Sequence, residues 1–200
     1  MTARPADTFP SSTTMDGAIT LDLRHQWLEG VRRLPSPNCD ERPAGCAIDL
    51  LVIHGISLPP KVFGGHCIDD FFLNRLDPDA HPFFRTLIGV RVSSHLLIDR
   101  GGKITQYVPF HKRAWHAGRS RFRERTQCND FSIGIELEGA DDVPYEDVQY
   151  RCLARLCRRL MSAWPSIGPD RVVRHSDIAP GRKTDPGECF DWTLFHRQLL

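Results

Sequence analysis

Five positions of this 200-residue chain carry the donor types used by hydrolytic metal sites: His54, Glu136, His175, Lys183 and Asp185. Two imidazoles and one carboxylate (His54, His175 and Asp185) make a reasonable ligand set for a divalent metal, with a position left for water or substrate. Glu136 is the residue type for a general base toward a water whose pKa such a metal lowers to about 7. Lys183 could donate to a developing oxyanion. Spacing alone leaves simpler readings open. Nine histidines are scattered along the chain, Glu136 reads equally as a solvent-facing carboxylate, and loop lysines are commonly just solvated. The same three ligands also match the facial triad of iron-dependent oxygenases, though the many short strands of a jelly roll are missing and an Arg-rich helix stands in their place.

These residues need a scaffold, and hydrophobic patterning supplies one. Residues 174–187 are broken by Pro180, Gly181, Pro186 and Gly187, so they read as a loop presenting polar side chains at one end of the fold. Residues 171–174 form a short strand delivering His175. The β-branched run 47–53 reads as a central strand that stops at His54-Gly55, with His54 facing a cleft beyond the sheet edge. Along 131–137, Phe131, Ile133, Ile135 and Leu137 alternate with Ser132, Gly134 and Glu136. Period two sets Glu136 and Glu138 on the face opposite the apolar one.

Residues 92–98 and 103–108 flank Asp99-Arg100-Gly101-Gly102, a hairpin signal. A short strand is expected at 27–34 and a short helix at 68–76. The clearest helix is 145–164, where Val148, Cys152, Leu156 and Leu160 recur every four residues, Leu153 and Met161 widen the stripe, and Pro165 ends it. A last helix covers 192–199. Together these predict an α/β fold, a single domain with a central mixed sheet flanked by helices. Residues 1–17, rich in Thr, Ser, Pro and Asp, read as a flexible tail before one domain over 18–200.

Composition narrows the class. A net charge of +1, with 40% apolar and 26% charged residues, is that of a soluble globular protein. It offers no dedicated nucleic-acid surface, although the basic run 113–125 leaves room for an anionic ligand. Seven cysteines without a Cys-x-x-Cys pair favour a reducing compartment, and Cys152 and Cys157 read as small apolar groups on a helix. No secretory h-region and no membrane-spanning run is visible, so a cytoplasmic protein without membrane attachment is expected. His95 reads as a satisfied core group; His66, His81, His111 and His196 read as solvated or locally bonded.

Several runs stand in order: His54-Gly55-Ile56-Ser57-Leu58-Pro59-Pro60, Phe63-Gly64-Gly65, Arg91-Val92-Ser93-Ser94-His95, Tyr107-Val108-Pro109-Phe110, Ala114-Trp115-His116-Ala117-Gly118, Asn129 through Gly139, and His175 through Gly187. With them the chain resembles the zinc-dependent N-acetylmuramoyl-L-alanine amidases, most of all the cytosolic branch that acts on 1,6-anhydro-muropeptides from the cell wall. The likeness spans roughly residues 27–192.

The resemblance implies Zn2+ held by His54, His175 and Asp185, Glu136 as catalytic acid/base, and Lys183 steadying the tetrahedral intermediate. It further implies substrate contacts from Arg91 (a carboxylate of the peptide stem), Trp115 and His116 (the sugar side) and Ala179 (a backbone contact). The implied substrate is an anhydro-N-acetylmuramyl peptide and the expected protein a monomer. Two positions depart from the family pattern. Gly55 stands where Asn is usual, and Gln127 stands where an Arg meeting the acidic end of the peptide is common. Arg121, Arg123 or Arg125 would be the neighbouring source of that charge. A non-catalytic peptidoglycan-binding module is the alternative, although such modules have typically lost a metal ligand and all three are present here. Whether residues 56–90 form a lid or a static insertion stays open.

Overall fold

The computed structural model describes residues 19–200; the tail expected at 1–17 lies outside them. Six strands form one sheet: β1 (Arg32–Arg33), β2 (Leu50–Ile56), β3 (Leu96–Ile98), β4 (Ile104–Gln106), β5 (Ser132–Glu138) and β6 (Val172–Arg174), in the spatial order β6-β2-β5-β3-β4-β1. The run β6, β2, β5, β3 is parallel, β4 returns antiparallel to β3, and β1 lies parallel to β4. The sheet is mixed, as patterning predicts.

Strands β2 and β5 are the structural spine. Leu50 to His54 and all of Ser132 to Glu138 are buried, which is why β2 reads as a nearly continuous apolar run. Their odd-numbered residues, Leu51, Ile53, Ile133, Ile135 and Leu137, pack on one side against α2 (Asp147–Ala163) and α4 (Trp192–Leu199) through Leu153, Leu156, Cys157, Leu160 and Phe195. The other side is filled near the strand starts by Leu50, Val52, Ala117, Cys128, Phe131 and Ile178. Beside β3, α1 (Cys67–Phe72) brings Ile68 and Phe72 against Leu97 and Tyr107.

Several elements are shorter or shifted relative to the sequence expectation, among them the strand at Leu96–Ile98 and the helix at Cys67–Phe72, and three differences bear on the core and the site. β2 continues to Ile56, so His54 sits inside the strand and not at its end; the ladder with β5 persists to Glu138↔Ile56. The stretch 27–34 divides into Trp27–Leu28 and Arg32–Arg33, which belong to different sheets. The buried stripe of α2 runs through Gln149, Leu153, Leu156, Cys157 and Leu160, while Val148 and Cys152 are only half-buried. The rotation has a polar cause: the Gln149 amide turns inward and donates to the carbonyls of Ile98 (3.3 Å) and Glu138 (3.0 Å), satisfying strand ends that burial would otherwise orphan.

Residues 56–90 are fastened to the body. Ile68, Phe72 and Phe84 are buried, Gly64 N–H donates to Glu138, and the Phe72 carbonyl accepts from Ser36 and Asn38. All seven cysteines are free. No helix among the described residues is long and apolar enough to cross a membrane.

Candidate metal and catalytic site

The groups singled out by type converge at the carboxyl end of the parallel strands, where open α/β sheets place their ligands. Glu136 and His54 are register partners across β2 and β5, so their side chains share one face of the sheet. His175 follows β6, the parallel neighbour of β2, and opens a single helical turn, α3 (His175–Ile178). Asp185 returns along the loop, whose course is set by Ser176 N–H donating to the Asp185 carbonyl (3.2 Å).

The three ligand-type side chains meet in a near-equilateral triangle. His54 Nδ1 is 2.9 Å from His175 Nδ1 and 3.1 Å from Asp185 Oδ2, and His175 Nδ1 is 3.0 Å from the same oxygen. Zinc bonds of about 2.0–2.1 Å in a tetrahedral site set ligand atoms about 3.3–3.4 Å apart, so the triangle is a slightly contracted version of what a zinc ion needs. The donor chemistry agrees. His175 Nε2 lies 3.3 Å from the Ala117 carbonyl, which can only accept, so Nε2 carries the hydrogen and Nδ1 of the neutral ring is bare. Burial pushes His54 down to about 4, leaving it a neutral imidazole at pH 7. A bare nitrogen, a second buried imidazole and a carboxylate oxygen aimed at one point are the requirement of a cation, and the residues fit one.

Glu136 departs furthest from its simpler reading. Its residue is 8% exposed and its Oε2 has no hydrogen-bond partner. Burial, reinforced by the charge of Asp185 and opposed by that of Lys183, raises its carboxyl well above the usual range. It is not a solvated surface acid; it is a buried carboxyl beside the ligand cluster. Lys183 itself is exposed on the loop, near enough for its charge to act on both Glu136 and His54.

One anchor of the loop was not visible in the sequence. Tyr145, buried above the ends of β2 and β5, donates from its hydroxyl to the Pro186 carbonyl at 2.9 Å, one residue past Asp185. Two glycines make room for it: a Cβ at Gly55 would lie 2.3 Å from the Tyr145 hydroxyl, and one at Gly139 would lie 2.2 Å from its ring. The departure at Gly55 thus has a packing consequence, an unobstructed seat for Tyr145. Gly187, at φ +86°, passes so close to Asp141 that a Cβ would sit 2.1 Å from that residue's Cα, which holds the loop against the neighbouring turn.

The expected substrate residues are placed less uniformly. Arg91 is exposed and lines a groove of about 270 Å³ with Phe71, Leu87, Ile88 and Val90, none of which belongs to the ligand cluster. Trp115 is half-buried, its backbone N–H donating to Ser93 Oγ (3.1 Å). Ala179 is buried; its N–H donates to the His175 carbonyl, and its carbonyl accepts from Arg182 and Lys183 at 3.1 Å each, so its backbone shapes the loop. His116 is enclosed beneath Gly134 with one ring nitrogen 2.9 Å from His54 Nε2 and the other 3.0 Å from Ser132 Oγ. In this placement both ring nitrogens are engaged within the protein. Arg121, Arg123 and Arg125, all exposed, pair with Glu124, Asp170 and Asp49. His95 is fully buried and satisfied, accepting from Gly134 N–H and bonding the Lys112 carbonyl.

Comparison with known proteins agrees with this geometry. Residues 44–188 match the family model described as N-acetylmuramoyl-L-alanine amidase. The chain is 55% identical over 173 residues to the 1,6-anhydro-N-acetylmuramyl-L-alanine amidase AmpD of Escherichia coli K12, covering 86% of this chain and 94% of that protein. It is 53% identical to the protein of the same name from Haemophilus influenzae, covering 87% and 95%. The crystal structure of a selenomethionine AmpD derivative superposes with a TM-score of 0.87 at 50% identity, over 91% of this chain and all of that one. The E. coli amidase AmiD, solved with the substrate anhydro-N-acetylmuramic acid-L-Ala-D-γ-Glu-L-Lys, aligns at a TM-score of 0.55 and 36% identity, over 78% of this chain and 60% of that one. With the fold, the ligand cluster and these likenesses in agreement, the chain belongs to the N-acetylmuramoyl-L-alanine amidase family.

Proposed function

We propose that this protein hydrolyses the amide joining the lactyl group of 1,6-anhydro-N-acetylmuramic acid to L-Ala in muropeptides, as a zinc-dependent, monomeric enzyme of the cytoplasm. The observation that carries the reading is the triangle of His54, His175 and Asp185 beside a buried carboxylate with an unused oxygen, in a chain 55% identical to a 1,6-anhydro-N-acetylmuramyl-L-alanine amidase.

His54, His175 and Asp185 would hold the zinc ion, which when bound supplies Lewis acidity toward a carbonyl oxygen and lowers the pKa of water. Glu136 takes the proton from the attacking water and returns it to the departing amine of L-Ala. A carboxyl raised by burial holds its proton more firmly than a solvated glutamate does, which suits a group that must take up the proton of the water before passing it on. Lys183 approaches from the loop and donates to the oxygen on which negative charge develops. Trp115 and Arg91 remain the side chains able to meet the sugar and a stem-peptide carboxylate.

The test is mass spectrometry of the protein incubated with anhydro-muramyl tripeptide, with zinc, with chelator, and with zinc restored under anaerobic conditions. The expected products are the free tripeptide and the anhydro sugar, lost with chelator and recovered with zinc alone. Stoichiometric zinc without cleavage would replace this reading with a binding module. A requirement for oxygen and reductant would replace it with the oxygenase reading.

A further inference from the structure

The imidazole of His116 has no part in the mechanism above, yet it is buried against the ligand cluster with both nitrogens engaged. The direction of each hydrogen bond around it follows from counting protons. The Cys128 carbonyl only accepts, and Ser132 Oγ lies 2.5 Å from it, so the single hydroxyl proton of Ser132 is committed there. Ser132 Oγ must then accept from His116 Nε2, 3.0 Å away. A neutral His116 with its hydrogen on Nε2 has a bare Nδ1, and the group facing that nitrogen at 2.9 Å is His54 Nε2. Two bare nitrogens cannot make this contact, so His54 Nε2 donates. His54 therefore turns a bare Nδ1 toward His175 and Asp185; with His175 Nδ1 bare as well, the 2.9 Å approach of these two nitrogens is one that a cation between them would satisfy.

We infer that His116 is a positioning residue that, backed by Ser132 and the Cys128 carbonyl, holds His54 in the one tautomer able to ligate a metal through Nδ1. The inference rests on the zinc reading above for its consequence, though not for its geometry. Partners behind a ligating histidine fix its ring orientation and basicity, and their loss typically costs about 10–100-fold in metal affinity.

The surroundings support a designed seat for the ring. The His116 backbone N–H and that of Ala117 both donate to Asn129 Oδ1, at 3.1 and 2.7 Å. A Cβ at Gly134 would stand 2.5 Å from His116 Cγ. This explains a glycine in the middle of a central strand, where it otherwise costs stability. His175, by contrast, obtains the same tautomer from a main-chain carbonyl, that of Ala117, so the two ligating rings are oriented by different devices.

The test uses the full chain. In metal-free wild-type protein, 15N-detected NMR of the histidine side chains should show His54 with its hydrogen on Nε2. A His54 with its hydrogen on Nδ1 overturns the inference, whether or not the protein proves to bind zinc. Zinc affinity, measured by competition with a chelator, should fall about 10–100-fold in His116→Phe, which keeps a ring but removes the acceptor. His116→Asn, whose Oδ1 can stand near the lost Nδ1, should bind zinc more tightly than the Phe variant even where both lose thermal stability. Equal zinc affinity in wild type and a folded Phe variant would leave His116 only a packing group and sink the proposal. Should the Phe variant not fold, the tautomer measurement decides. Failure of wild-type protein to bind zinc, or binding unaffected by His54→Ala, would instead discredit the metal site itself, a separate outcome.

Discussion

Half of the candidate site is borne on strands and half on a loop, and the two halves are held by different physics. His54 and Glu136 are register partners in the fully buried centre of the sheet, where a ladder of main-chain hydrogen bonds and packing on both faces fixes them. His175, Lys183 and Asp185 lie on a segment interrupted by proline and glycine, whose path depends on a few discrete bonds: Ser176 to the Asp185 carbonyl, Tyr145 to the Pro186 carbonyl, and the Ala179 carbonyl to Lys183. The strand half is the rigid reference and the loop half is brought to it. Damage to Glu136 in the strand half should therefore abolish chemistry without releasing metal, whereas loss of its register partner His54 would remove a ligand as well. Damage to the anchors of the loop should loosen metal without touching the proton-transfer group.

The largest effect should come from the strand half. Glu136→Gln keeps the volume and removes the base, so turnover of anhydro-muramyl tripeptide should fall by about 10²–10⁴-fold while zinc content stays stoichiometric by metal analysis. Near-wild-type turnover in the zinc-loaded variant would remove Glu136 from its role. Next comes the exposed end of the loop. Lys183→Ala should lower kcat by about 10²–10³-fold, again with zinc retained, because Lys183 is placed to stabilise charge and contributes no ligand atom. A change confined to KM would mean that it binds ground-state substrate and not the developing oxyanion.

Tyr145→Phe separates the halves most sharply. It keeps the ring between Gly55 and Gly139 and deletes only the hydroxyl that donates to Pro186. Zinc affinity should weaken by roughly tenfold, the low end for a lost outer-shell partner, with kcat at saturating zinc nearly unchanged. Unaltered affinity would show that the Asp185 loop stands without this anchor, and that the contrast between the halves is weaker than the hydrogen bonds suggest.

The two halves also differ in what could be read from residue order. The alternation in 131–137 placed Glu136 on the correct face, but period two cannot tell a solvated face from a buried one. Both faces of β5 are covered, and only the packing of segments distant in sequence shows it. The end of β2 was misplaced because His54-Gly55 ends the apolar run, whereas pairing with β5 carries the strand on to Ile56. The resemblance implies a sugar contact for His116 beside Trp115, whereas the enclosure of its ring is set by Gly134, eighteen positions later. That glycine, interrupting an otherwise regular strand, was the one local sign of a close approach. Tyr145 left no such sign, since its seat is formed by glycines on two different strands' ends.

The smallest expected effect probes the strand half alone, in protein stripped of metal. Glu136 is raised well above the ordinary glutamate range, chiefly by burial, so the unfolded chain releases this proton at a lower pH than the folded one. Below the ordinary glutamate pKa both states hold the proton and the side chain costs no ionisation energy. As pH rises past it, the unfolded state ionises first and the fold loses stability, until the pH passes the raised value of the folded state. Glu136→Gln cannot ionise and escapes this loss. In the presence of chelator, the urea midpoint of the variant should therefore exceed that of wild type by a margin that is smallest near pH 4 and widens toward pH 8. Charges elsewhere in the cluster titrate in both proteins and largely cancel in the difference. A margin that stays constant over this range would mean that the carboxyl finds solvent or a partner in the folded state, and the rigid, water-excluding character assigned to the strand half would fail with it.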